Sequence, residues 1–526
     1  MNSLTVATEC PSCGAPLDFA EGTNSLKCPH CQSNLFVTGR KQVLSYVVAP
    51  KLGEKLASAL AIKEQRNRGR NEFRSVRSRL YFIPYYRMTG QDLTWEEAEK
   101  ATVSDDDSTR DSDTGWGSGL SSESYDDFRL DVRSDIFNTA AELFEMLSDK
   151  VFKKEPDRSA KHSPLPDLQI KQFEQAWRPA GYSKDIPIET VESHGLKTGQ
   201  YLNGDLALHD RYVEKNFLAC ELHGLGIYSL GIRPSVLRLQ LFRKNTIGSN
   251  AQAVSPALGP KEAEAVGIRT GLNQAQLSRQ VIGRVLSIIY FPFWVVDAEC
   301  SGKRSLTIID AVSKAVINTD APEALYNVLD HEMKEDPEIA GFRPLACPNC
   351  GWDLPVRPDD CIFFCSSCNK AWQIHGSLLS EVPFIVAGVK GMGKSRVTQY
   401  LPFWVFRAGD REGGPFYIFA PAFRYRRLKI LMDIAITFTR LQPSYVASDR
   451  KNNELTGCYY DNEDGLLLAT LARSVLTAKD VDGFRDACGK ELTPSEAVLT
   501  WFPFRIEGNY LSAPFCVMSI PKNLLF

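Results

Sequence analysis

Eight cysteines carry the clearest chemistry in the chain. Cys10-Pro-Ser-Cys13 is followed, after fourteen residues, by Cys28-Pro-His-Cys31, and Cys347-Pro-Asn-Cys350 is followed, again after fourteen, by Cys365-Ser-Ser-Cys368. Two residues between thiolates let a tight knuckle aim both sulfurs at one ion, and Gly14 and Gly351 stand where such a turn needs a positive φ. The connector is long enough for a short hairpin that returns the second knuckle and completes a tetrahedral four-thiolate site. Four protein ligands leave no position for water or substrate. The expected ion is therefore structural zinc, two per chain, and its binding would drive the folding of a module too small to bury a core. Paired disulfides and a redox Cys-x-x-Cys are the competing readings of the same spacing.

The two units superimpose at a constant offset of 337 residues, which also pairs Gly14 with Gly351, Leu17 with Leu354, Leu35 with Trp372 and Gly39 with Gly376. This pattern is that of a duplicated zinc ribbon. Each ribbon runs into an apolar, strand-like stretch: Val43 to Ala49 after the first, Phe384 to Ala387 after the second. The first is followed by a helix expected at about 52–67. Further helices are expected at 136–152, 322–335, 426–440 and 463–478 from their apolar periodicity. Gln274 to Ile289 reads as a helical start passing into a strand, and Ile288 to Ile317 as a hairpin around Cys300 to Arg304.

An aromatic-x-proline unit recurs along these strands. It appears as Phe82-Ile83-Pro84-Tyr85-Tyr86, Tyr290-Phe291-Pro292-Phe293-Trp294, Tyr400-Leu401-Pro402-Phe403-Trp404, Phe419-Ala420-Pro421-Ala422-Phe423 and Trp501-Phe502-Pro503-Phe504. Proline cannot donate to a sheet ladder, so these residues predict edge strands or bulges. The aromatics would fill the cores of small domains. An aromatic surface for a partner is the other reading of the same residues.

Composition bounds the rest. The chain has 526 residues, 43% hydrophobic and 24% charged, enough for several cores. Of fourteen cysteines, the six outside the ribbons (Cys220, Cys300, Cys361, Cys458, Cys488 and Cys516) are scattered singly, as buried thiols in a reducing compartment would be. With no basic-then-apolar leader and no long apolar run, a cytoplasmic location is expected. Net charge is −3, but Ser104 to Asp127 carries eight acidic residues against Arg110, which leaves +4 for the remainder. A body so nearly neutral does not advertise nucleic-acid binding, whose usual footprint is a basic face. The acidic stretch lacks the spacing of a calcium loop. His209, His223 and His331 have no companions at metal spacing, and no nucleophile, base and orienter set stands out.

Gly388-Val-Lys-Gly-Met-Gly393-Lys394-Ser395 satisfies the phosphate-loop pattern. In that reading Gly388 and Gly393 let backbone N–H groups cradle phosphates, Lys394 neutralises charge and Ser395 holds Mg²⁺. Three observations weigh against it. Pro402 comes seven residues after Ser395, where a helix should still be running. The stretch also occupies the junction that follows the first ribbon as Val47-Val-Ala-Pro-Lys-Leu-Gly53, and no strand-borne aspartate follows it.

On the residues Cys10, Cys13, Cys28 and Cys31 with the strand at 290–294, and Cys347, Cys350, Cys365 and Cys368 with the strand at 400–404, the chain resembles a loosely defined group of bacterial and archaeal zinc-ribbon proteins carrying Tyr-x-Pro-Phe-Trp strands. Members are often labelled transcription-factor-like or primosomal-helicase-like from the ribbon alone, and no helicase motor motif accompanies it here. The resemblance implies a metal-stabilised protein without established catalysis.

The expected fold is α+β and multidomain: two four-cysteine zinc ribbons with small antiparallel sheet-plus-helix domains. Its boundaries are ribbon 1 at 1–40, a small domain at 41–100, an acidic disordered insertion at 101–135, a middle domain at 136–340, ribbon 2 at 341–378 and a C-terminal domain at 379–526. The expected function is a non-enzymatic scaffold or adaptor that binds other proteins. A phosphate-loop nucleotide-binding protein and a nucleic-acid-binding ribbon protein are the alternatives.

Overall fold

Aliphatic and aromatic runs punctuated by Gly and Pro make strand the commonest element among the described residues. The computed structural model describes residues 4–98, 200–202, 205–220, 238–243, 247, 250–269, 276–300, 303–323, 325–330, 333, 339–388, 398–411, 414–448, 455–514 and 518–525. The acidic insertion at 101–135 and the helix at 136–152 lie outside them.

The first ribbon supplies β1 (Thr5–Glu9), β2 (Pro16–Ala20), β3 (Ser25–Lys27) and β4 (Asn34–Val37). An N-terminal lobe follows with β5 (Leu44–Val48), α1 (Glu54–Asn67), β6 (Phe73–Glu97), β7 (Gln200–Tyr201), β8 (Leu206–Leu218), β9 (Arg238–Leu241) and β10 (Ala251–Ala253). It continues through α2 (Pro260–Arg269), β11 (Gln276–Cys300), β12 (Lys303–Asp310), β13 (Val316–Ala321) and α3 (Leu325–Leu329). The second ribbon comprises β14 (Phe342–Pro344), β15 (Ile362–Cys365), β16 (Lys370–His375) and β17 (Leu378–Val382). A C-terminal lobe then has β18 (Phe384–Gly388), β19 (Thr398–Arg411), β20 (Gly414–Pro421), α4 (Leu428–Leu441) and β21 (Val446–Ala447). It ends with α5 (Asn462–Thr477), α6 (Val481–Cys488), β22 (Glu496–Glu507), β23 (Tyr510–Ser512) and β24 (Ser519–Pro521).

Among the described residues the strands make an eleven-stranded sheet, a seven-stranded sheet and two three-stranded ones. The large sheets are mixed rather than antiparallel. In the N-terminal lobe β5 runs parallel to β11, with Val47 opposite Tyr290, and in the C-terminal lobe β18 runs parallel to β22, with Val386 opposite Trp501. On the far side of each, β6 lies antiparallel to β11 and β19 antiparallel to β22. Parallel strands need a crossover, and the excursion through β6 or β19 provides it. Each ribbon is thus followed by the same three-strand arrangement.

The aromatic-x-proline units pair with each other. Phe82 and Pro84 oppose Pro292 and Tyr290, and Tyr400 and Pro402 oppose Pro503 and Trp501. The expectation of edge strands holds for Pro421, in β20 at the end of its sheet, but not for Pro84, Pro292, Pro402 and Pro503, which lie in strands flanked on both sides. These four are tolerated at changes of partner. At Pro292 the outer neighbour of β11 switches from β5, ending at Tyr290, to β12, starting at Phe293. Pro84 falls between β10 and β8, and Pro503 between β18 and β23. Pro402 separates the Tyr400–Leu455 bridge from β20. The proline carbonyls still accept, from the N–H of Ala219 at Pro84 (2.9 Å), of Ala311 at Pro292 (3.1 Å) and of Ala422 at Pro402 (2.9 Å). A hydrogen-bonded strand residue points its N–H and C=O to the same side, so each of these prolines lacks its donor where one neighbour has ended and the next has not begun.

The same tryptophan contact recurs beside these prolines. Trp294 Nε1 donates to the Leu52 carbonyl (2.7 Å), just before the N-cap Gly53 of α1. Trp404 Nε1 donates to the Tyr460 carbonyl (3.0 Å), just before the N-cap Asp461 of α5. Asp461 also caps α5 through the N–H groups of Glu463 and Asp464.

Segments 41–100 and 136–340, expected as separate domains, supply strands to one sheet. Tyr81, Ile83 and Tyr85 of β6 share a core with Ile289, Phe291 and Phe293 of β11. The helical start expected near Gln274 is absent from 276 onward, because Gln276 already pairs with Glu96 in the β11–β6 ladder. No helix among the described residues is long and apolar enough to cross a membrane.

Candidate metal centres

The sulfurs of each four-cysteine set lie within 4.8 Å of one another. In the first, Cys10 Sγ is 3.8 Å from Cys31 Sγ and Cys13 Sγ 3.9 Å from Cys28 Sγ. In the second, Cys347 Sγ is 3.5 Å from Cys368 Sγ and Cys350 Sγ 3.6 Å from Cys365 Sγ. Thiolates at about 2.3 Å from a tetrahedral ion stand about 3.8 Å apart, so the donor sets fit a metal ion. A disulfide needs about 2.05 Å; all eight cysteines are free, and the paired-disulfide reading fails. Each cluster could hold one metal ion through four thiolates.

Backbone turns place the sulfurs. The carbonyls of Cys10, Cys28, Cys347 and Cys365 accept from the N–H groups of Gly14 (2.8 Å), Gln32 (3.0 Å), Gly351 (2.8 Å) and Asn369 (2.9 Å). These four donors, each following the second cysteine of its knuckle, have φ of 71°, 64°, 73° and 59°. Glycine adopts that conformation without penalty and asparagine tolerates it. Gln32 is held there with its side chain donating to the Pro29 carbonyl (3.0 Å). Only the two glycine turns announce themselves in the sequence.

The knuckles also tune the thiols. The Ser33 hydroxyl, 3.2 Å from Cys31 Sγ, and the Ser33 N–H lower Cys31 to about 6. Burial opposes ionisation of Cys347, but the N–H groups of Cys350 and Asn349 outweigh it and bring that thiol down to about 7. Burial and the neighbouring thiols push Cys368 up to about 12. A bound cation would displace such shared protons.

The ribbons are joined edge to edge. β14, leading into ribbon 2, pairs with β4 of ribbon 1, with Phe342 opposite Val37 and Pro344 opposite Leu35. Ser25 Oγ donates to the Arg357 carbonyl (2.7 Å), Asn34 Nδ2 to the Leu354 carbonyl (3.3 Å) and Gly39 N–H to the Gly376 carbonyl (3.0 Å). The last pair, equivalent in the duplication, both have positive φ, 85° and 58°. Phe36 of ribbon 1 is buried in the core of ribbon 2, a contact that no local pattern predicts.

Outside the ribbons, a cleft of about 390 Å³ lies between ribbon 1, β11, α2 and the start of α5. In its wall Lys41 Nζ lies 2.6 Å from both Asp461 and Glu463, and Arg284 pairs with Glu264. Of the phosphate-loop residues, Gly388 ends β18 opposite Val446; Gly393, Lys394 and Ser395 lie outside the described residues. His209 sits exposed, 3.4 Å from Glu96, and His223 and His331 also lie outside. Comparison with protein-family models, with curated proteins and with solved structures finds no match.

Proposed function

We propose that the chain is a non-enzymatic cytoplasmic scaffold whose two ribbons each hold zinc and which presents its surface to other proteins. The observation that carries this reading is the closed donor set: four sulfurs at tetrahedral separations, with no room left for a substrate. Zinc is favoured because four thiolates in a tetrahedron suit a borderline-soft ion without a geometric preference of its own. The ribbons are tied through β4 and β14 into the strands around them, so the ions brace a surface. On that surface ribbon 2 leaves Trp352 64% and Leu378 60% exposed, apolar groups suited to a protein contact.

Elemental analysis of protein purified without added zinc should give about two zinc ions per chain, and a value near zero with the fold intact rejects the metal assignment. The scaffold role is tested by affinity capture with Trp352→Ser as the comparison: a partner retained by the native chain and lost by the variant supports it. Mg–ATP should leave the melting temperature unchanged. A nucleotide-dependent rise that Lys394→Ala abolishes would replace this reading with the phosphate-loop one.

A further inference from the structure

Two cysteines outside the metal sets meet where three parts of the fold converge. Cys361 directly precedes β15 of ribbon 2, and Cys458 lies in the segment that enters α5. Both are 0% exposed. The Cys361 N–H donates to the Cys458 carbonyl at 2.7 Å, and Ile362 and Cys458 form an antiparallel bridge. The two side chains therefore leave adjacent points of the backbone, and they interact. Arg40, from the end of ribbon 1, enters the same spot. Its Nη1 donates to Asn24 Oδ1 (2.8 Å) and its Nη2 to Asp461 Oδ2 (3.4 Å), while its buried Nε has no hydrogen-bond partner. The guanidinium is electrostatically coupled to Cys361. A cation beside a thiol stabilises an attacking thiolate.

We propose that Cys361 and Cys458 form a reversible disulfide on exposure to a hydroperoxide, tying ribbon 2 to the C-terminal lobe. Arg40 is coupled to Cys361, and Cys458 Sγ donates to the Tyr460 carbonyl (3.3 Å), so Cys458 is assigned as the resolving sulfur and Cys361 as the attacking one. Its thiolate displaces hydroxide from the peroxide as the O–O bond breaks, leaving a sulfenic acid, and the thiol proton goes to the hydroxide to make water. Cys458 then attacks the Cys361 sulfur, the S–O bond breaks, and a second water leaves with the Cys458 proton. The two thiols lose two electrons and two protons, and hydrogen peroxide takes up both. Burial excludes bulky disulfide oxidants, while a molecule the size of peroxide needs only a small opening.

The test uses the full chain as purified. It is treated with equimolar hydrogen peroxide and mapped by non-reducing peptide mass spectrometry, with metal release followed by a chromogenic chelator. The expected result is a Cys361–Cys458 crosslink that forms before any metal is released, raises the melting temperature and disappears on adding dithiothreitol. Cys361→Ala and Cys458→Ala should each remove both the crosslink and the temperature shift. Full alkylation of Cys361 and Cys458 after treatment, or crosslinks confined to the ribbon cysteines, would overturn the proposal. Mapping of the native chain decides this even where a variant folds poorly, and it does so whatever the metal content.

Discussion

The two ribbons share ligand spacing, knuckle hydrogen bonds and a left-handed residue after each pair, yet they are supported differently. Cys10, Leu17, Cys28 and Leu35 of ribbon 1 belong to the same core as Tyr81, Ile83 and Phe291 of the N-terminal lobe. β1 and β2 extend the large sheet, β1 lying parallel to β9. Ribbon 2 keeps its own three-stranded sheet and a small core of Phe36, Leu345, Cys347, Leu354, Phe363, Cys365, Trp372 and Ile374. A ligand set specifies the knuckles but not what stands behind them. Ribbon 1 borrows apolar burial from a lobe, whereas ribbon 2, with far less to bury, must draw more of its fold from its ion.

Removing one ligand from each ribbon gives the largest contrast. Cys365→Ser and Cys28→Ser should each lose one metal ion and leave the other bound. About 10 kcal/mol or more of apparent binding free energy is at stake in each case, but it should be spent in different places. Hydrogen exchange in Cys365→Ser should lose protection throughout β15, β16 and β17 while the lobes hold. In Cys28→Ser, β1 and β2 should keep most of theirs, because the sheet and lobe core remain. Equal loss of protection in the two variants breaks the comparison.

Phe36 sharpens it. The residue is carried by ribbon 1 yet only 3% exposed within the core of ribbon 2. Phe36→Ala should cost about 3–5 kcal/mol, the usual range for a buried aromatic, and the loosening should appear in ribbon 2. Exchange that speeds up around Cys10 to Gly14 instead would mean that Phe36 supports the ribbon it belongs to.

What could be read from the chain follows the range of the forces involved. Metal coordination is local, so eight ligands and two glycine turns stand out from spacing alone. Helical periodicity is local too: the helices expected at 52–67, 426–440 and 463–478 form at Glu54–Asn67, Leu428–Leu441 and Asn462–Thr477. Strand pairing is not local. That β14 would find β4, or that Pro84 would oppose Tyr290, depends on residues hundreds of positions apart. The prolines were legible as interruptions of a ladder, but only the neighbouring strands show that the interruption is a change of partner. Gln32 stayed hidden because glutamine rarely marks a left-handed turn.

The smallest difference between the ribbons is one of charge. At the offset of 337, Asp360 of ribbon 2 corresponds to Thr23 of ribbon 1. Its carboxyl packs so closely against Gly457 that a Cβ there would displace it. Burial raises Asp360 from 3.8 to about 7, offset only in part by Arg357, whose Nη1 lies 3.6 Å away. A carboxyl raised in the folded state favours folding in its protonated form. That contribution is complete below the ordinary carboxylate value and is lost as pH rises through about 7. Between about pH 5 and pH 7, protection of β15 to β17 should therefore fall, by at most about 1.4 kcal/mol per pH unit, and level off above. Protection of β1 and β2 should stay flat. Asp360→Asn should remove the slope, since an amide cannot titrate; a slope that survives the substitution would move the pH response to the ribbon thiols.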